Sequence, residues 1–91
     1  MIIIPRGKPV KTNLNSYYLD MAKLIEHYQG ELGTGSIYLK STFAQGLIFF
    51  EEDTIINVLY QDKDLRIDGK AARDHLIKFL QKHNFAVNVY Q

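Results

Sequence analysis

The chain has 91 residues, of which 46% are hydrophobic and 23% charged, and its 11 basic and 10 acidic residues leave a net charge of +1. This balance argues against nucleic-acid binding driven by bulk charge, and the absence of cysteine excludes disulfides, thiolate catalysis and cysteine-ligated metals. No apolar run exceeds four residues, which is too short for a membrane helix. We therefore expect one domain in a reducing cytoplasm, with no signal peptide and no membrane association.

The first eleven residues differ in character from the rest of the chain. Met1–Ile4 is apolar, and Pro5 and Pro9 interrupt any regular element. The basic residues here, with no acid among them, are Arg6, Lys8 and Lys11. Because proline cannot donate to a strand ladder, an edge position suits this segment. We predict an N-terminal arm or edge strand over residues 1–11, followed by a single domain over 12–91.

A first amphipathic helix is predicted from the spacing of apolar side chains. Asn13–Asn15 and Ser16 have the composition of a turn and a helix N-cap. The apolar stripe that follows at helical spacing consists of Tyr17, Met21, Leu24, Ile25 and Tyr28. Gly30 and Gly33 are expected to end the helix, since glycine adopts left-handed conformations at no steric cost.

The middle of the chain changes to a period of two, which is typical of strands. Ser36–Ser41, Gln45–Phe50 and Ile55–Tyr60 are rich in β-branched and aromatic residues and are joined by short links. Short links make neighbouring strands antiparallel, so a three-strand meander is predicted, with a tight turn at Glu52-Asp53.

The last third of the chain predicts a loop, a second helix and a closing strand. Gln61–Asp68 is polar and is interpreted as a surface loop, with Asp68 capping the helix that Gly69 opens. The apolar face of this helix contains Ala72, Leu76, Phe79, Leu80 and His83. Phe85–Tyr90 alternates again. The predicted class is α+β: an antiparallel sheet, made of the meander, a C-terminal strand and a possible N-terminal edge strand, with two amphipathic helices.

No residue pattern indicates catalysis or metal binding. His75 and His83 are two turns apart on one helix and diverge by roughly 80°, so they cannot share a metal without a third element. Glu51, Glu52 and Asp53 fall in a predicted turn, where water solvates them. We predict a protein that is not an enzyme, with no catalytic residues, no metal and no cofactor.

Apolar side chains in excess of what a small core can bury point to an interaction surface. Ile77 and Leu19 lie outside the apolar arcs of their helices. Alternation in the meander places Phe50, Ile56 and Val58 on one face of the sheet and Phe49, Ile55 and Leu59 on the other. Either the N-terminal arm covers the second face, or another protein does, or the two helices split between the faces. The predicted interaction residues are Leu19, Phe49, Ile55, Leu59, Arg73 and Ile77.

The order of these motifs resembles the PATAN-type domain, found at the N-terminus of PatA-like response regulators. The residues that carry the resemblance are Leu19 to Ile25, Gly35 with Ile37 and Leu39, Gly46-Leu47-Ile48-Phe49-Phe50, Glu52-Asp53, Ile55-Ile56-Asn57-Val58, Gly69-Lys70-Ala71-Ala72 and the closing strand Phe85–Tyr90. It covers residues 12–90 and implies a prokaryotic signalling adaptor without catalytic residues.

The leading hypothesis is a protein–protein interaction module of prokaryotic intracellular signalling that associates with itself, through the apolar sheet face or the surface carrying Leu19 and Ile77. One alternative is a small-ligand sensor with an apolar pocket between helices and sheet. Another is a weak nucleic-acid binder that uses the basic residues of the first eleven positions together with Lys70 and Arg73.

Overall fold

A computed structural model describes residues 7–15, 20–52 and 54–91 of the chain. Its elements, in chain order, are β1 (Pro9–Asn15), α1 (Met21–Leu32), β2 (Thr34–Lys40), β3 (Ala44–Glu51), β4 (Thr54–Asp62), β5 (Arg66–Asp68), α2 (Gly69–Lys82) and β6 (Ala86–Tyr90). The described strands form one antiparallel sheet in the order β1-β6-β2-β3-β4-β5. The predicted α+β class, the meander β2–β3–β4 and the closing strand are confirmed.

Both helices lie on the same face of this sheet. Tyr28 of α1 and Ala72 and Leu76 of α2 are buried in one cluster with the inward residues of the strands, such as Phe50 and Val87. The expectation that the helices could split between the two faces is therefore wrong. Two helices side by side cover most of one face, which concentrates the core there, and no helix of the described residues covers the other face.

The first helix begins later than its sequence predicts. Asp20 is the N-cap, and its side chain accepts a hydrogen bond from the Lys23 amide at 3.2 Å. Asn13–Asn15, predicted as a turn, belongs instead to β1, where Leu14 pairs with Val87 of β6. Ser16 and Tyr17 lie outside the described residues. The helix ends at Gly33, whose φ of 74° is left-handed, as glycine permits.

Two further boundaries differ from prediction. The edge strand falls at Pro9–Asn15 rather than within 1–11, and residues 1–6 lie outside the described part of the chain. The segment predicted as a loop, Gln61–Asp68, contains the end of β4 and the three residues of β5, which pair with each other. Both errors concern polar strands at the two edges of the sheet, where pairing with a neighbour and not apolar alternation selects the extended backbone.

Candidate interaction site

An apolar groove separates the two helices on their shared side of the sheet. We call it the helix groove. Its lining residues are Met21, Ala22 and Ile25 of α1, Ile48, Ile55 and Val58 of the sheet, and Arg73, Leu76, Ile77 and Leu80 of α2. The volume is about 180 Å³, and almost all exposed atoms of the lining are apolar. The groove exists because each helix packs its apolar stripe downward on the sheet and presents only the flank of that stripe to the other helix.

A β-bulge places Ile55 in this groove. Phe49 pairs with Asn57, and the next residue, Phe50, pairs with Ile55, so Ile56 is an extra residue on β4. The bulge reverses the alternation, so Ile55 points to the helix side with Phe50 and Val58. Without the bulge, Ile55 would share a face with Leu59.

This bulge corrects one sequence-based expectation. Phe49, Ile55 and Leu59 were predicted on a single face, but only Phe49 and Leu59 share one, and Ile55 lies on the opposite side. Ile56, predicted on the same face of the sheet as Phe50, is 56% exposed. No glycine marks the bulge in the sequence, and alternation alone could not locate it.

The helix groove unites three of the six predicted interaction residues. Ile55 and Ile77 are 38% and 47% exposed at its mouth, and Arg73 lies beside them on α2. Ile56 extends the exposed apolar surface along β4, next to Arg73. Leu19 lies outside the described residues. Sequence reasoning missed Met21, Ala22 and Leu80, because they read as ordinary members of apolar helix stripes.

Phe49 and Leu59 belong to a separate cluster on the face opposite α1 and α2. They are half-buried and pack, with Tyr90, around Tyr38 and Leu47, which are only 4% and 1% exposed. Burial, with a contribution from Tyr90, raises the pKa of the Tyr38 hydroxyl. The middle of this face, around Tyr38 and Leu47, is thus already shielded.

A shallower depression of about 330 Å³ lies at the end of the sheet near the β2–β3 turn. Its lining includes Gln45 and Gln61, which pair directly across β3 and β4 and whose buried Oε1 atoms have no hydrogen-bond partner within the described residues. Its Ser41 hydroxyl accepts from the Ala44 amide at 3.0 Å and so holds the turn. This depression is mixed in polarity, unlike the helix groove.

The ionisable groups nearest the core serve structure. The Tyr60 hydroxyl donates to Asp62 Oδ2 at 2.8 Å, while Asp62 Oδ1 accepts from the amides of Asp64 and Leu65 at 2.9 Å. The Tyr60 hydrogen bond, with the backbone amides, lowers the pKa of Asp62, and burial above all raises that of Tyr60.

His75 and His83 stack on either side of Phe79. Within the described ranges, no three His, Asp or Glu side chains are grouped as metal ligands.

Fold and groove together define the class: an α+β domain with one helix-covered sheet face and an apolar groove between its helices. The family model described as "Uncharacterized protein conserved in archaea (DUF2226)" matches residues 2–91, and the chain belongs to this family. No curated protein and no solved structure matches it. The resemblance to the PATAN-type domain is wrong, since the family that matches is a different one.

Neither α1 nor α2, the helices of the described residues, is long and apolar enough to cross a bilayer.

Proposed function

We propose that this chain is a non-catalytic protein–protein interaction module that takes up a large apolar side chain of its partner in the helix groove. The observation that carries the proposal is the exposure of Ile55 and Ile77 at the mouth of a cleft lined almost entirely by apolar atoms. Exposed apolar surface that adjoins an apolar cleft gains free energy when a partner removes it from water.

The size of the groove favours a side chain over a small-molecule ligand. Pockets for cofactors and drug-sized ligands enclose about 300–1,000 Å³, whereas the helix groove has about 180 Å³. A dry cavity of about 150 Å³ holds a molecule the size of benzene. The groove is thus matched to one leucine, isoleucine or phenylalanine side chain, which is the anchor of a typical helix-in-groove contact.

The placement of the cations speaks against the nucleic-acid alternative. Lys8 and Lys11 lie at the β1 edge of the sheet, while Lys70 and Arg73 lie on α2, which packs over β4 near the opposite edge. Nucleic-acid binding needs a continuous basic surface along the backbone of the ligand. Two separated pairs of cations do not form such a continuous surface.

The signalling role rested on the resemblance that the family assignment overturned, so the proposal is confined to the interaction itself. We place the module in the cytoplasm, because a chain without cysteine cannot form the disulfides that are typical of small domains in oxidising compartments.

Selection from a displayed peptide library tests the proposal. We expect the enriched peptides to share one large apolar residue, and to bind Ile77→Asp at least tenfold more weakly than the wild type. Leu65→Asp is the matched control, because Leu65 is 37% exposed but lies in the β4–β5 turn, away from the groove. Circular dichroism verifies that both variants are folded. Peptides that bind Ile77→Asp as well as the wild type would contradict the proposal, as would a library that yields no apolar anchor.

A further inference from the structure

We infer that the partner of the helix groove is a second copy of this chain, in a twofold pair in which α1 of each protomer lies over α2 of the other. This inference rests on the proposed function and names its partner. It is carried by the charges of the two helices and by the fit of Ile77 to the groove, while the area that the helices offer limits the strength of the pair.

The two helices carry charge of opposite sign. α1 has one lysine, Lys23, against Glu26 and Glu31, whereas α2 has four cations against Asp74. The cations of α2 are Lys70, Arg73, Lys78 and Lys82. In a twofold pair the same surface meets itself, so contacts occur twice and must be self-complementary. An acidic helix beside a basic one satisfies this condition when α1 crosses onto the partner's α2, because each acidic surface then meets a basic one.

Individual side chains have the positions that this arrangement needs. Glu26 follows Ala22, a residue of the groove lining, by four positions, so it lies one turn further along α1 on the same side, and it is exposed. Arg73 lines the opposite wall and is exposed. Ala22 is small and exposed, which leaves room for an incoming helix at the groove mouth. In this arrangement Glu26 of one copy forms an ion pair with Arg73 of the other, and the twofold axis repeats this pair.

Ile77 supplies the apolar anchor. It is the most exposed large apolar residue of the groove lining at 47%, and the groove volume of about 180 Å³ suits one side chain of its size. In a twofold pair each copy both donates this side chain and receives one. The anchor residue and the groove that receives it then belong to one and the same surface, and no second surface is required.

The available area sets the strength of the pair. Helices of 12 and 14 residues are about 18 and 21 Å long, and two of them side by side are about 20 Å wide. The footprint is then about 400 Å² per protomer, half of the roughly 800 Å² of a standard interface. We therefore expect a weak dimer with a dissociation constant in the high micromolar range, weakened further by salt.

Charge exchange in the full chain tests this pairing. Sedimentation velocity and light scattering up to about 1 mM protein, at low salt, are expected to show a monomer–dimer equilibrium for the wild type. Glu26→Arg alone and Arg73→Glu alone each create two like-charge contacts and should weaken the dimer at least tenfold. The double variant Glu26→Arg/Arg73→Glu recreates the pairs in reverse and should regain most of the association.

Matched controls separate this effect from net charge. Asp64→Arg and Lys63→Glu change the net charge by the same amounts in the β4–β5 turn and should leave the dimer unchanged. A strictly monomeric wild type, or single variants that dimerise as well as the wild type, would overturn the inference. Peptides that need Ile77 could still be found with a monomeric protein, so the second-copy assignment can fail while the proposed function stands.

Discussion

Phe50 stands directly opposite Ile55 across the β3–β4 ladder, although the preceding residue, Phe49, stands opposite Asn57. One step on β3 thus corresponds to two steps on β4, and the surplus residue is Ile56. The displacement has two effects on the molecule. It directs Ile55 into the helix groove, and it leaves Asn57 at the edge of the irregularity, close to the start of α2.

Asn57 caps the second helix from a neighbouring strand. Its Oδ1 accepts hydrogen bonds from the Val58 amide at 2.9 Å and from the amide of Gly69, the first residue of α2, at 3.3 Å. Asp68 holds the N-cap position, as predicted, but its side chain makes no capping hydrogen bond. We expect Asn57→Ala to lower the free energy of unfolding by about 1 kcal/mol. Asp68→Ala should lower the free energy of unfolding by only a few tenths of a kcal/mol, mainly through the helix dipole.

Urea unfolding of the two variants, followed by circular dichroism, measures this difference. An Asp68→Ala loss as large as that of Asn57→Ala would mean that the local cap, and not the strand, holds the helix start.

Two glycines differ in the space around them. A Cβ on Gly35 would lie 2.6 Å from the Tyr90 carbonyl oxygen and 2.9 Å from Phe50 Cζ, whereas one on Gly30 would meet nothing within 4 Å. Gly35→Ala should therefore cost about 2 kcal/mol through overpacking in the sheet. Gly30→Ala should stabilise the chain by about 0.5 kcal/mol, because alanine favours the helical backbone of α1.

Thermal and urea unfolding of both glycine variants provide the measurement, and each variant is the control for the other. Equal effects in the same direction would show that intrinsic propensity dominates over the close approach of β2 to β6 at Gly35.

Because of the hydrogen bond from Tyr60 to Asp62, the free energy of unfolding depends on pH in the acidic range. The pKa of Asp62 is lower in the folded chain than its ordinary 3.8, so its stabilising contribution is present above about pH 4 and is lost as the pH falls through the folded value. Tyr60→Phe removes the main cause of this shift. We expect the variant to be less stable than the wild type at neutral pH and this difference to shrink at about pH 2.5.

Urea midpoints at the two pH values for the wild type and Tyr60→Phe give the comparison. Tyr38→Phe is the control, because the pKa of the Tyr38 hydroxyl is raised by burial and by Tyr90, with no carboxylate among the causes. A Tyr60→Phe penalty that is the same at both pH values would show that Asp62 does not need this donor.

The apolar periodicity was sufficient to predict both helices and the four central strands. Residues such as Tyr28, Leu76 and Val87 are buried where their spacing places them. β5 escaped prediction because its three residues are extended only through their pairing with Leu59 to Gln61. The predicted N-terminal edge strand was placed too early, because the position of β1 depends on its pairing with Ala86 to Tyr90 at the other end of the chain. Asn13, with a φ of 58°, interrupts the alternation of β1 and imitates a turn.

Only part of the candidate site could be predicted from the sequence. Exposure of Ile77 follows from helical geometry, because its position falls outside the apolar arc of α2. The orientation of Ile55 does not follow from alternation, since a single inserted residue reverses it. The groove itself depends on both helices choosing one face, which no local pattern in the sequence specifies.

The position of β6 between β1 and β2 also bears on how the chain acquires its structure during synthesis. The sheet cannot close until residues 86–90 have left the ribosome, so the backbone of β1 stays unpaired until a strand about 75 positions downstream has been synthesised. Ordering so long a loop is slow. Chaperone dependence and refolding rate should therefore respond to changes in β6 more strongly than to changes in the meander, whose hairpins form from adjacent segments.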